Sequence, residues 1–352
     1  MPGLKKAVLR TGFEALYFTG AHRLLQPWLG GVGAILTLHH VRPPRDDAFQ
    51  PNRLLEVTPQ FLDAVLADLR RAQVDIVTLD EMHRRVRECD FRRRFVCLTF
   101  DDGYRDNLHH ALPVLRKHNA PFTLYVPTSF PDRLGELWWL TLERVIARQT
   151  RVALVMDGED RRYDCYSVEA KYELFEHIYW WLRSLADEDD LRRAVRELGV
   201  RYHVDDKALC DELCMDWTEI EEIAADPLAT IGAHTVNHVM LRKASDDAVR
   251  HEMQNSAAVI EAALGERPQH FSYPVGDRTS AGPREFRIAA ELGFKTAVTT
   301  RPGVLFPEHA RHVTALPRLS LNGEYQQPRY AKVLMSGAAT AMWNRFRRVD
   351  AA

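Results

Sequence analysis

A chain of 352 residues can bury a large core, in one α/β domain carrying an insertion or in two ordinary domains. With 27% charged residues and a formal net charge of −2, it has no polyelectrolyte character, and no nucleic-acid partner is expected. Its five cysteines, Cys89, Cys97, Cys165, Cys210 and Cys214, fit reduced thiols in a reducing compartment better than a disulfide framework.

In chain order, residues 1–32 come first as a helical arm. Leu4, Val8, Leu9, Phe13, Leu16 and Tyr17 recur at helical spacing beside Lys5, Lys6 and Arg10. Such an amphipathic helix packs on the body of the protein or lies on a membrane surface. Arg10, Glu14, His22 and Arg23 interrupt any apolar run, so the segment reads neither as a secretory signal nor as a membrane span. A cytoplasmic protein is expected, with peripheral contact at the inner face of the membrane as its second reading.

Short apolar, β-rich runs come next, at 33–41 (GAILTLHHV), 74–79 (VDIVTL), 95–100 (FVCLTF), 121–127 (PFTLYVP), 228–234 (LATIGAH), 270–274 (HFSYP) and 295–300 (KTAVTT). Helical stretches separate them. One is opened by Thr58 as an N-cap, and another, starting near Asp246, is closed by Gly265. Alternation of this kind predicts parallel strands with helical crossovers, closing into a distorted (β/α)7-type barrel of the α/β class. The barrel is discontinuous, spanning 33–133 and 228–323. Between its halves, 134–227 reads as a large helical insertion with one strand pair near RVALVMDGEDRRYD, and 324–352 is a basic tail.

Asp101-Asp102-Gly103 ends the 95–100 run and has the composition of a tight hairpin turn. The residues after it are helical in pattern instead, with Asn107 suited to a cap and Pro113 to a first turn. The two acids therefore lie at the C-terminal end of a strand, where βα barrels carry their chemistry. Adjacent carboxylates repel unless a cation or proton intervenes. His234 and His238, four apart after another strand, supply with one Asp a three-ligand set with open positions, as catalytic metals need.

These residues resemble the polysaccharide deacetylase family, also called carbohydrate esterase family 4. Its first motif stands here as Thr99-Phe100-Asp101-Asp102-Gly103, its second as His234-Thr235-Val236-Asn237-His238. The resemblance covers roughly 33–132 and 228–322. It implies Asp101 as catalytic base, Asp102, His234 and His238 as metal ligands, and Val275 N–H as oxyanion donor. Val275 sits in a third motif, Arg-Pro-Pro-x-Gly in the family, that reads Ser272-Tyr273-Pro274-Val275-Gly276, without the arginine that steadies the base. The family's Leu-x-His, source of the general acid, is replaced by Leu316-Pro317-Arg318. His39, in LHHV, resembles an element of the subgroup acting on poly-N-acetylglucosamine and is the candidate acid; the plainer reading is that it only shapes the site. Tyr104 completes the Asp-Asp-Gly-Tyr wording of that subgroup.

The resemblance implies a hydrolase that removes N-acetyl groups from sugar units of a glycan or a lipid-linked glycan precursor. Zinc is the default metal, and cobalt, nickel or ferrous iron also suit two imidazoles and a carboxylate. An O-acetyl esterase or small-amide hydrolase with the same site, and an inactive glycan-binding or assembly protein, are the competing readings. Trp138 and Trp139, close behind a strand end, are expected to line the cleft, whereas Tyr179, Trp180 and Trp181 read as core. Cys210 and Cys214 lack the second cysteine pair of a structural zinc site and read as idle thiols.

Overall fold

A computed structural model describes residues 2–351, with side chains from Lys6 onward. Seven parallel strands form a closed ring: β1 (Gly33–Leu38), β2 (Phe95–Phe100), β3 (Phe122–Val126), β4 (Ala229–Ala233), β5 (His270–Ser272), β6 (Thr296–Pro302) and β7 (Leu316–Ser320). The spatial order is β1-β7-β6-β5-β4-β3-β2, and β2 pairs back onto β1 from Gly33↔Phe95 to Leu38↔Phe100. β1, β2 and β3 are buried at every position, which is why they read as continuous apolar runs rather than alternating ones.

The barrel class is as the sequence predicts, but one stave differs. Within 74–79 only Asp75–Ile76 is strand; it bridges Phe95 and Val96 and adds no stave to the ring. The seventh stave is β7, whose LPRLS hides a strand behind a proline and an arginine. The proline sits where β7 pairs with β6 through a register shift between Val298 and Pro302, and the arginine turns its charge onto Asp101.

Capping agrees closely with the sequence. Thr58 Oγ1 accepts from Phe61 N–H at the start of Pro59–Arg71, and Gly265, at φ 78°, closes Asp246–Leu264. Asn107 is an exception. It lies inside a π-helical turn, Asn107–Ala111, and its Nδ2 donates to the His39 carbonyl at 2.8 Å instead of capping.

The insertion leaves β3 and returns before β4. Four of its helices, Trp138–Arg148, Val168–Ser184, Glu188–Tyr202 and Asp206–Leu213, surround their own apolar core with the antiparallel pair Arg151–Met156 and Glu159–Asp164. A fifth, Trp217–Ala224, buries Ile220 and Ile223 among barrel residues and serves as the crossover into β4. At the other extreme of the chain, Pro2–Phe18 packs on Pro328–Met335, with Phe13 buried against Tyr325 and Tyr330. Leu16 and Tyr17 are half-buried, Val8 and Leu9 are exposed, and the side chain of Leu4 lies outside those described.

Candidate active site

The hairpin likeness of Asp-Asp-Gly has a structural cause. Asp102 and Gly103 both adopt positive φ, 72° and 63°, the backbone that a two-residue hairpin turn uses. Here the turn feeds a helix. It leaves the Asp101 and Asp102 carboxylates buried at the C-terminal mouth of the barrel.

Asp102, His234 and His238 each bring a ligand atom to within 4.8 Å of the others, and all three residues are buried. Asp102 Oδ1 lies 3.4 Å from His234 Nε2 and 3.3 Å from His238 Nε2, and no hydrogen bond satisfies it among the described residues. A buried carboxylate oxygen left in this way is costly unless something else occupies its lone pairs. His234 Nδ1–H donates to the Ser272 carbonyl at 2.6 Å, which leaves Nε2 with its lone pair toward Asp102. Two imidazole nitrogens and a carboxylate oxygen converging on one buried point fit a divalent cation of borderline softness.

The loop carrying the histidines is held taut. Thr235 and His238 have φ of 65° and 54°, a conformation that non-glycine residues adopt at a cost, rarely for a β-branched side chain. Three sets of contacts offset that cost. Glu252 accepts Val236 N–H at 2.8 Å and Asn237 N–H at 2.9 Å, Thr235 Oγ1 accepts His238 N–H at 2.9 Å, and Arg192 donates to the Asn237 carbonyl at 2.7 Å. Arg192 comes from the insertion and is itself fixed by Glu136 at 2.8 Å.

Asp101 is held differently. Arg318 on β7 donates Nη1 to Asp101 Oδ1 at 2.7 Å and Nη2 to Oδ2 at 2.6 Å, a two-pronged contact with both side chains almost fully buried. Further donors go to the Thr299 carbonyl, Thr99 Oγ1 and Ser272 Oγ, so the guanidinium is held from several sides. Burial is the largest single influence on Asp101 and raises its pKa, but the charge and hydrogen bonds of Arg318, with the His234 and His39 imidazoles, together outweigh it and hold the carboxyl below its usual range. The arginine missing from the third motif is thus supplied by another strand, and the small Ser272 leaves room for it. The clue in the sequence is the pair of changes, Ser for Arg on one strand and Arg for His on the other.

His39 Nε2 lies 3.9 Å from Asp101 Oδ2 and its side chain is 18% exposed, so it faces both the carboxylate and the mouth. Burial pushes its imidazole pKa down, while Asp102 and Asp101 oppose that shift. His40, next in sequence, turns away: it stacks on Tyr104 with ring centroids 3.5 Å apart and bonds Asp106 at 2.6 Å. Tyr104 is fully buried in that stack, behind the mouth.

The loop after β5 makes a tight three-residue turn, with Gly276 N–H donating to the Pro274 carbonyl at 2.6 Å and Val275 at φ 61°. Thr300 fastens it: its hydroxyl donates to the Val275 carbonyl at 2.6 Å, and a Cβ on Gly276 would stand 2.7 Å from the Thr300 nitrogen. Val275 N–H donates to no acceptor among the described residues, as an oxyanion donor requires. Tyr273 points the other way, into the core, its hydroxyl donating to the Thr314 carbonyl at 2.8 Å. Beyond the turn, Asp277 and Thr279 accept from Arg183 of the insertion at 2.8 and 2.7 Å. Of the two tryptophans, Trp139 packs on the His238 ring at 5.0 Å, whereas Trp138 packs on Tyr179 inside the insertion.

The sequence profile described as Polysaccharide deacetylase matches residues 89–153 and 182–297, just over half of the chain. The chain belongs to the polysaccharide deacetylase family. It is accordingly a hydrolase of the class that acts on the N-acetyl groups of sugars. No curated protein matches it in sequence. Among solved structures, the deacetylase PplD of Streptococcus pyogenes aligns with TM-score 0.58 at 19% identity, over 86% of this chain and 97% of that one. IcaB from Ammonifex degensii aligns with TM-score 0.53 at 19% identity over the same shares, and a polysaccharide deacetylase from Bacillus cereus with 0.52 at 16%, over 86% and 68%. At these identities the likeness is one of fold.

Proposed function

We propose that this polysaccharide deacetylase is metal-dependent and removes N-acetyl groups from sugar units of a glycan or of a lipid-linked glycan precursor. The observation that carries the reading is the pairing of two adjacent carboxylates with unlike surroundings: Asp102 among His234 and His238, Asp101 clamped by Arg318. A divalent cation held by Asp102, His234 and His238, zinc by default, supplies Lewis-acid polarisation of the acyl carbonyl and a more acidic water. Asp101 takes the proton of the attacking water, through whichever oxygen Arg318 leaves the freer lone pair. Val275 N–H receives the charge that develops on the carbonyl oxygen. His39 delivers a proton to the departing sugar nitrogen, a role its partly exposed position 3.9 Å from Asp101 supports. Trp139 supports His238 and borders the mouth, where an apolar acyl group has a wall to rest on.

All five cysteines are unpaired thiols, four of them buried, which supports a reducing, cytoplasmic setting. The test is acetate release from N-acetylglucosamine oligomers by chelator-stripped protein, before and after one equivalent of zinc, cobalt, nickel or ferrous iron. Restored release with at least one metal is expected. Full metal occupancy with no acetate from any N-acetylated oligomer, but release from O-acetylated xylan, would move the reading to an esterase.

A further inference from the structure

Helices Ala21–Leu29 and Ala338–Trp343 touch along one flank of the barrel, and neither turns its large apolar side chains inward. Leu24, Trp28, Trp343 and Phe346 are 71%, 68%, 66% and 68% exposed, and Phe18 and Met342 are exposed too. Trp28 and Phe346 line one shallow groove together with Arg347 and Arg348. Phe346 is thrust outward by a helix end in which Arg345 and Phe346 both take positive φ, 51° and 62°, a place where glycine is usual.

Charge is distributed over the same surface. Residues 6–29 and 328–351 hold eight lysines and arginines and only two acids, Glu14 and Asp350, in a chain whose net charge is −2; Lys6, Lys332 and Arg348 pair with Glu324, Asp68 and Glu308 outside these ranges. Both acids are engaged, Glu14 with Arg329 and Asp350 with Arg301 and Arg278. Arg10, Arg23, Arg345 and Arg347 form no ion pair among the described residues. Exposed aromatics interleaved with unpaired arginines are the composition of a face that sits in a lipid headgroup layer, apolar rings at the acyl boundary and guanidinium groups at the phosphates. A protein partner or a second copy of this chain would instead need acids placed opposite those arginines. No helix among the described residues is long and apolar enough to cross a membrane, so the contact is peripheral.

We infer that the flank built by Ala21–Leu29 and the 338–348 segment docks this protein on an anionic phospholipid surface. Trp343 and Arg345 also line a groove with Asp277, Thr279 and Thr300, next to the turn that carries Val275. The docked flank therefore adjoins the rim of the catalytic mouth, within reach of glycan carried at that surface.

Co-sedimentation of the full chain with vesicles tests this. Binding is expected to phosphatidylcholine vesicles containing phosphatidylglycerol, to be weak on phosphatidylcholine alone, and to fall with added salt. Trp28→Ser/Trp343→Ser/Phe346→Ser and, separately, Arg345→Glu/Arg347→Glu should each weaken binding by about tenfold or more while melting temperature and acetate release from a soluble oligomer stay unchanged. Equal binding to both vesicle types, or retained binding by both variants, overturns the inference. So does a dimer in light scattering that both variants convert to monomer while vesicle binding is absent, because the flank would then be covered by a second copy.

Discussion

The two halves of the candidate site, a residue apart in sequence, are built by opposite means. Around Asp102 the partners are imidazoles from one short loop, the carboxylate oxygen between them has no donor among the described residues, and tension sits in the backbone at Thr235 and His238. Around Asp101 both carboxylate oxygens are paired, and the contacts join β2, β5, β6 and β7 by way of a single guanidinium. The first arrangement leaves a place for a cation; the second fixes the carboxylate that we propose as the base. Because the clamp draws on several strands, Arg318 can bring from β7 the charge that the third motif of the family resemblance carries on β5, provided the guanidinium ends beside Asp101.

That contrast can be broken most severely at Arg318. Arg318→Leu leaves Asp101 buried without a counter-charge, and a loss of about 3–5 kcal/mol in unfolding free energy is expected from chemical denaturation. Arg318 holds the Asp101 pKa down, so its stabilising contribution is present above the ordinary carboxylate range and is lost as pH falls through the lowered value. Without Arg318 the Asp101 pKa rises, and the acidic limb of kcat/KM moves to higher pH. An unshifted limb in a folded Arg318→Lys variant, which keeps charge but not the fork, would mean that charge matters there more than geometry.

His39 sharpens the comparison from the mouth side. His39→Ala should lower kcat by about a hundredfold, the low end for loss of a general acid, with metal content unchanged. If substrates with better leaving groups lose as much, His39 shapes the site instead of donating a proton. A smaller effect is expected on the other half. Glu252→Gln and Arg192→Ala loosen the loop that presents His234 and His238, and metal affinity should fall by about ten- to a hundredfold in competition with a chelator, with little change in kcat at saturating metal.

Legibility in the sequence divides along the same line. The Asp-Asp-Gly and His-x3-His elements can be read because each places its ligands within a few residues, and local backbone geometry carries them to the barrel mouth. Arg318 cannot be given its role from the chain alone. Its distance of 217 positions from Asp101 is closed only by the ring, and β7 itself is hidden by Pro317 and by the buried charge. The short Asp75–Ile76 strand misleads in the reverse direction: VDIVTL has the composition of a stave but leaves its register after two residues. His39 directly follows the end of β1 and faces Asp101, whereas Tyr104, also just past a strand end, is drawn into a stack on His40. Trp138 and Trp139 begin a helix well beyond β3, and only Trp139 packs on His238 while Trp138 packs on Tyr179.

The direct test of two neighbouring carboxylates with separate tasks is one pair of variants, Asp101→Asn and Asp102→Asn, assayed for metal content and acetate release on the same samples. Asp101→Asn should keep one equivalent of metal while activity falls by about a hundred- to ten-thousandfold, and Asp102→Asn should lose both. Metal retained by Asp102→Asn, or lost by Asp101→Asn with the fold intact, would contradict the division.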